Sequence, residues 1–528
     1  MKKVRLFLSA SMMFTTALFS QTLNDAIKQT LNEQFEPADA AFKVLIQANP
    51  TSGEFYFYYG ENFFRNEKMA QAAEMYNKAV EVNATSPFGY IGVGKIQWEQ
   101  GKQTEAKASF YKAQTLSANK NATVLMKIAE EYINAEQKNL VDAFALLDLA
   151  AKLEPKNPEV YILMGDAYME QQNGTKAIDN YEKAGTMDPK SVKAILRQGQ
   201  LWNRSRNYEK ALEFYKKAKL VDSSFAPAYR ELAEIYFRAG AYKTASAQYK
   251  RYLELNPNCS AKARYAGFLE EAKQYKESVE ASKDALKCDS NNVYLYRYLA
   301  FDYYNLKNFS DGVPASNNFF KRVTPEVKVI SQDYEYKGKF NAQTGNDSLA
   351  IIDWKKAIEM DTTRKELYND IASCLMKMKK YNEAIELYMK KIKSGKATVN
   401  DSLALGRAYY YSKDFINADT TFADVMRLRP TFYQGFLWRA KTNVQMDPKN
   451  EKWLAKGYYE SFIAKLKPED TEKVKSYIIE AYNYIGVYYL TKKEYCTAKS
   501  FFVLIFNLDP TNVNAKKFLE SAEGKKCP

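Results

Sequence analysis

Residues 158–191, PEVYILMGDAYMEQQNGTKAIDNYEKAGTMDPKS, are followed by two segments that keep the same residue types at the same places. Gly165, Gly199 and Ala233 stand 34 apart, as do Ala177, Ala211 and Ala245, and again Tyr181, Tyr215 and Tyr249. Around them fall Tyr161, Ile195 and Tyr229, then Tyr168, Trp202 and Tyr236. The segments close at Asp188-Pro189, Asp222-Ser223 and Asn256-Pro257. A fixed period of this length marks a stacked repeat array.

Each unit reads as two helices. Tyr161, Met164, Gly165 and Tyr168 are spaced to share one helical face, and Asn173-Gly174 then breaks the pattern. Ala177, Ile178, Tyr181 and Ala184 form a second face, ending before Pro189, which has no N–H to continue the ladder. Glycine inside a helix costs about 1 kcal/mol relative to alanine, so its return at one phase requires a close approach by the partner helix. A lone hairpin cannot bury both faces, and neighbours must stack to complete a core.

The succession Tyr161-x2-Met164-Gly165-x2-Tyr168, Ala177-x3-Tyr181-x2-Ala184, Pro189 resembles the tetratricopeptide repeat. The resemblance implies an all-α chain, a right-handed α-solenoid of about fourteen helical hairpins with a C-terminal capping helix. It also implies a non-enzymatic scaffold whose first helices line a concave, protein-binding face.

The phase extends both ways. Ala38 and Phe42 mark a worn first unit; Gly60 with Tyr76, and Gly94 with Phe110, mark the next two. A fourth unit, with Ala129, Ala143 and Ala150, has a longer turn at Gln137. The eighth carries Ala266, Ser278 and Ala285, and the ninth opens with Tyr296, Ala300 and Tyr303. Gly312 and Pro314 fall in the ninth unit's second helix, which they are expected to shorten or kink, so residues 310–345 read as a joint. Regular units resume with Ala372, Ala384 and Tyr388, then Gly406 with Phe422. The thirteenth is stretched at 446–450 before a second helix from Trp453, and the last carries Gly486 and Phe502. A cap is expected over Val513–Ala522. The domain reading is therefore 1–20 signal peptide, 21–325 N-terminal solenoid with repeats 1–9, and 326–528 C-terminal solenoid with repeats 10–14 plus the cap. The signal peptide rests on Lys2, Lys3 and Arg5 before an uncharged run from Leu6 to Phe19.

Composition narrows the chemistry. The chain of 528 residues has no histidine, which removes the commonest general base and metal ligand. No catalytic set, metal site or cofactor is expected. The net charge of +14 points to an anionic partner. The acidic pairs Glu130-Glu131 and Glu270-Glu271 read as solvated surface. Five cysteines are too scattered for a zinc site or a redox motif. On the hairpin geometry Cys259 meets Cys288 at one end of the eighth unit, and the cap carries Cys527 towards Cys496; export permits these disulfides, the alternative being that all five are reduced. Cys374 is left over on a packed face.

The candidate partner-binding residues follow from the repeat phase: Arg197, Arg204, Arg230, Phe237, Arg238, Arg264, Tyr294, Arg297, Phe301 and Tyr304. Guanidinium groups interleaved with rings suit acidic or aromatic peptide segments. Glu159, Asp166 and Glu170 hold equivalent places earlier, so the groove is expected to change sign along its length. The reading is an exported bacterial protein in the periplasm or on the periplasmic face of the outer membrane, with peripheral membrane association. There it binds proteins or peptides of an envelope complex that serves assembly or secretion. The alternative is an anionic envelope polymer, cell-wall glycan or lipopolysaccharide; nucleic acid is not expected.

Overall fold

The computed structural model describes residues 22–393, 395 and 397–527; the expected signal peptide, residues 1–20, lies outside them. Among the described residues every regular element is helical, thirty α-helices and two short 3-10 turns. Fourteen helix pairs follow one another from Leu23 to Leu508. The chain forms two compact units, Met1–Asp302 and Tyr303–Pro528. The division falls inside the helix Val293–Asn305, upstream of the joint expected from the sequence.

In the first unit, hairpin 1 is Leu23–Leu31 with Phe35–Ala48, hairpin 2 Gly53–Arg65 with Met69–Val82, and hairpin 3 Pro87–Glu99 with Gln103–Leu116. Hairpin 4 is Ala122–Asn134 with Leu140–Leu153, hairpin 5 Pro158–Glu170 with Gly174–Met187, and hairpin 6 Val192–Arg204 with Tyr208–Val221. Hairpins 7 and 8 are Ala226–Arg238 with Tyr242–Leu255, and Cys259–Glu271 with Tyr275–Cys288. Asparagine begins many of these helices; the Asn173 and Asn207 side chains accept from the backbone N–H three residues on. Between the two helices of a hairpin the backbone turns through a left-handed residue, as at Glu33, Gln172, Arg206 and Gly240.

The repeated glycine has a steric cause. A Cβ on Gly165 would stand 2.3 Å from the Tyr181 ring, and on Gly199 2.5 Å from the Tyr215 ring. Each tyrosine therefore lies flat on the first helix of its own hairpin, fully buried with Ala177 or Ala211 beside it. Its outer side meets the next hairpin, as where Tyr181 clusters with Leu201 and Tyr249 stacks on Phe268 at 4.6 Å.

In the second unit the helix Phe309–Arg322 runs its full 14 residues with Pro314 inside it, against the shortening expected. Pro314 is exposed, so the carbonyl deprived of its donor, that of Ser310, faces water rather than a core. Gly312 is no breaker either: it lies in phase with Ala177 and accommodates the Phe340 ring, which a Cβ would meet at 2.4 Å. Hairpin 13, Tyr433–Met446 with Lys456–Lys465, departs in detail, because Asp447 accepts the N–H groups of Glu451 and Lys452 and holds a turn that delays the second helix. The cap is two pieces, Val513–Glu520 and Ala522–Lys525.

Cys259 is bonded to Cys288 and Cys496 to Cys527, with Cα separations of 5.9 and 5.2 Å. Cys374 is free and buried, its thiol 2.9 Å from Asp347 Oδ1 and pushed up to about 12 by burial and that carboxylate.

Candidate functional site

First helices line the inner side of the first unit. A cavity of about 240 Å³ is bounded only by their residues, from Ile27 and Leu31 in hairpin 1 through Tyr58, Met126 and Leu163 to Lys193 in hairpin 6. Its walls combine apolar side chains with charged ones, among them Glu61, Arg65, Lys127 and Glu130.

Those four residues belong to a buried network. Lys95, 6% exposed, lies between Glu61 at 2.9 Å and Glu131 at 3.0 Å and 3.9 Å above the Phe64 ring. Arg65 and Lys127 both reach Glu130, at 3.1 and 2.7 Å. The Tyr76 hydroxyl donates to Glu61 at 2.6 Å. Glu130 and Glu131 are 5% and 7% exposed, so their reading as solvated surface is wrong: helix spacing sends each to a different cation, Glu130 to Lys127 and Arg65 and Glu131 to the buried Lys95. Burial opposes charge on Glu130, yet Lys127, Lys193 and Arg65 hold it well below the usual carboxylate range. Glu131 shares Lys95 with Glu61, and burial raises it. Glu270 is half-buried and raised to about 7 by burial and by Glu271; Glu271 is exposed.

The cations read from the sequence form a ladder between consecutive hairpins. Arg197 Nε lies 2.8 Å from Asp166, which also accepts the Tyr181 hydroxyl at 2.7 Å. Arg264 grips Glu234 with two nitrogens, Nε at 3.1 Å and Nη2 at 2.9 Å, Arg204 lies 3.9 Å from Glu170, and Lys193 pairs with Glu159. Arg238 donates to Asn203 at 3.3 Å. Axes of packed helices lie about 8–10 Å apart, within the reach of two long side chains. The expected change of sign along the groove is thus largely cancelled pair by pair.

The aromatic candidates divide. Phe237 packs edge-on to Phe268 at 5.1 Å, with the Arg264 guanidinium 5.3 Å from its ring. Tyr294 is exposed, under Arg297 at 5.2 Å. Arg297 and Phe301 are 8% and 5% exposed; they belong to the packing and not to an open face. Tyr304, in the second unit, is enclosed by Phe309, Tyr336 and Phe340.

Arg230 has the least expected partner. Its Nη1 meets Glu33 Oε1 at 2.5 Å, and the other carboxylate oxygen accepts the Tyr252 hydroxyl at 2.9 Å. Lys28 reaches Asp222 at 2.9 Å. The first hairpin therefore touches the sixth and seventh. Repeat spacing does bring Glu61 to Lys95, 34 residues on, but no local pattern announces a contact 197 residues long.

Among the described residues no group of three or more metal-ligating side chains converges, and no helix is long and apolar enough to cross a membrane. Models of the tetratricopeptide repeat match residues 89–120, 134–199, 226–259 and 365–394. No curated protein matches the chain. The C-terminal part of a TPR repeat-containing protein from Cytophaga hutchinsonii is 35% identical, over 49% of this chain and 100% of that one, with a TM-score of 0.45. A tetratricopeptide repeat protein from Parabacteroides merdae is 20% identical over 48% of this chain and 98% of that one, TM-score 0.31. For pilF of Pseudomonas aeruginosa the values are 19%, 39%, 92% and 0.28. With helical hairpins in register, family models on four stretches and this identity across the whole Cytophaga chain, the protein belongs to the tetratricopeptide repeat family.

Proposed function

We propose that the protein is a non-enzymatic interaction scaffold of the bacterial cell envelope, exported to the periplasm or the periplasmic face of the outer membrane. There it holds partner proteins of an envelope complex against the inner face of its first unit, in support of assembly or secretion. Tetratricopeptide repeats generally bind other proteins. The observation that carries the reading for this chain is the row of guanidinium groups and rings on that face: Arg204, Arg238 and Arg264 remain exposed although paired, beside Phe237 and Tyr294. Arg204 and Arg264, paired with carboxylates but water-facing, exchange one carboxylate for another at small cost.

A photo-crosslinker at position 264, compared with one at exposed Tyr111 on a second helix, tests the reading in native envelope preparations. Products specific to position 264, lost when Arg204 and Arg238 are changed to Glu, support it. Equal yields at both positions overturn it. Recovery that collapses with added salt and yields glycan or lipopolysaccharide in place of protein favours the anionic polymer.

A further inference from the structure

We infer that Arg230, Tyr252 and Asn256 form a cradle for a carboxylate-bearing segment of a partner protein, occupied in this structure by Glu33 of the chain's own first hairpin. The inference rests on the reading of the inner face as protein-binding, and it names the chemistry of one contact there.

The cradle is built in two layers. Arg230 and Tyr252 each donate to a different oxygen of the Glu33 carboxylate, at 2.5 and 2.9 Å. Behind them Asn256, 2% exposed, donates its Nδ2 to the Tyr252 oxygen at 2.9 Å, which directs the hydroxyl proton outward to the carboxylate. Asn258 in turn donates to Asn256 at 3.1 Å. The guanidinium stands 5.7 Å from the Tyr252 ring. A planar fork fixed beside a hydroxyl is suited to a carboxylate rather than to a single point charge.

The present occupant is held by polar contacts. Lys28 with Asp222, at 2.9 Å, and Asn32 with Ser224, at 3.2 Å, complete the seam. Among the described residues the apolar cluster containing hairpin 1 ends at hairpin 5, and the clusters of hairpins 6 and 7 include nothing from hairpin 1. Contacts of this kind are screened by salt, and the seam parts without opening a core. Beside it lies a cavity of about 880 Å³, bordered by Phe35, Lys68, Tyr249 and Lys262, large enough for several residues of an incoming chain. Glu33 stands at the left-handed turn position, φ +58°, where the backbone is set by the hairpin and the side chain is free to leave.

The test is fluorescence anisotropy of a labelled polyglutamate peptide at low salt, with polylysine as control, on the full chain. Glu33→Ala is expected to bind polyglutamate about tenfold more tightly than the parent, because an in-chain competitor has been removed. Adding Arg230→Ala or Tyr252→Phe should abolish most of that gain, with an unchanged thermal transition as the folding control. Equal affinity for parent and Glu33→Ala, or a gain that survives Arg230→Ala, overturns the cradle. Crosslinking from position 264 is a separate readout: partners still captured there while Glu33→Ala has no effect defeat the cradle alone. A polyglutamate gain without any captured partner upholds the cradle and defeats the envelope scaffold.

Discussion

Hairpins 5 and 6 differ from hairpin 8 and the helix that follows it, Val293–Asn305, at two matching places of the repeat. Tyr181 meets Leu201 in the first case; the residues at the same register in the second are Ser282 and Asp302, both fully buried. The tyrosine sends its hydroxyl to Asp166, which Arg197 also binds. Neither the Ser282 hydroxyl nor either Asp302 oxygen makes a hydrogen bond of ordinary geometry, the Ser278 hydroxyl alone lying near enough to favour the Asp302 charge. Burial, with Glu270 nearby, pushes Asp302 up to about 8. The period tolerates a polar residue in either slot. What differs is whether the hairpin's own first helix supplies a partner: Asp166 does so for Tyr181, and Gly267 stands at that place in hairpin 8.

Four substitutions break or sharpen that contrast. Tyr181→Ala should cost about 4 kcal/mol of local stability, read as faster amide exchange in hairpins 5 and 6, whereas Ser282→Ala should change hairpin 8 by less than about 1 kcal/mol. Asp166→Ala should cost about 2 kcal/mol by orphaning a buried hydroxyl and a guanidinium. Combining it with Tyr181→Phe should cost less than the sum, because the hydroxyl is then gone, and strict additivity in the double-mutant cycle would sink the coupling.

Asp302→Asn addresses pH. The folded state holds a proton on Asp302 that the unfolded state releases near its ordinary value of about 3.9. Stability contributed at this site is therefore present at low pH and falls as pH rises from about 4 to about 8. Asn at 302 should flatten that fall, so that its melting temperature exceeds the parent's by more at pH 9 than at pH 4; parallel curves would contradict the assignment. Least affected should be Arg204→Ala, whose exposed pair at 3.9 Å is worth less than about 0.5 kcal/mol in chemical denaturation.

Much of the fold is legible because the period repeats a steric fact, the ring of Tyr181 on Gly165, and Gly60, Gly94, Gly199 and Gly406 state it again. Gly312 and Pro314 misled because residue type was weighed above phase: both occupy ordinary positions of a second helix, one under a ring and one facing water. The arginines were placed on the right helices, but the carboxylates that hold them were not matched to them, since pairing depends on side-chain reach between neighbours. Glu130 and Glu131 were misjudged for the same reason, and Arg297 and Phe301 because phase does not reveal how deeply a position is covered. Glu33 against Arg230 lay beyond any periodic argument, because it depends on how far a stack curls over six hairpins.

The bond from Cys259 to Cys288 joins the two ends of hairpin 8, the unit in which Ser278 and Ser282 stand where hairpin 7 has Ala245 and Tyr249. Where hairpins 5, 6 and 7 are closed by an aromatic wedge, Tyr181, Tyr215 and Tyr249, this one is closed covalently. Its firmness is consequently set from outside, by the thiol chemistry of the surroundings. A reductant should loosen this link ahead of hairpins 5 and 6, which carry no cysteine at all.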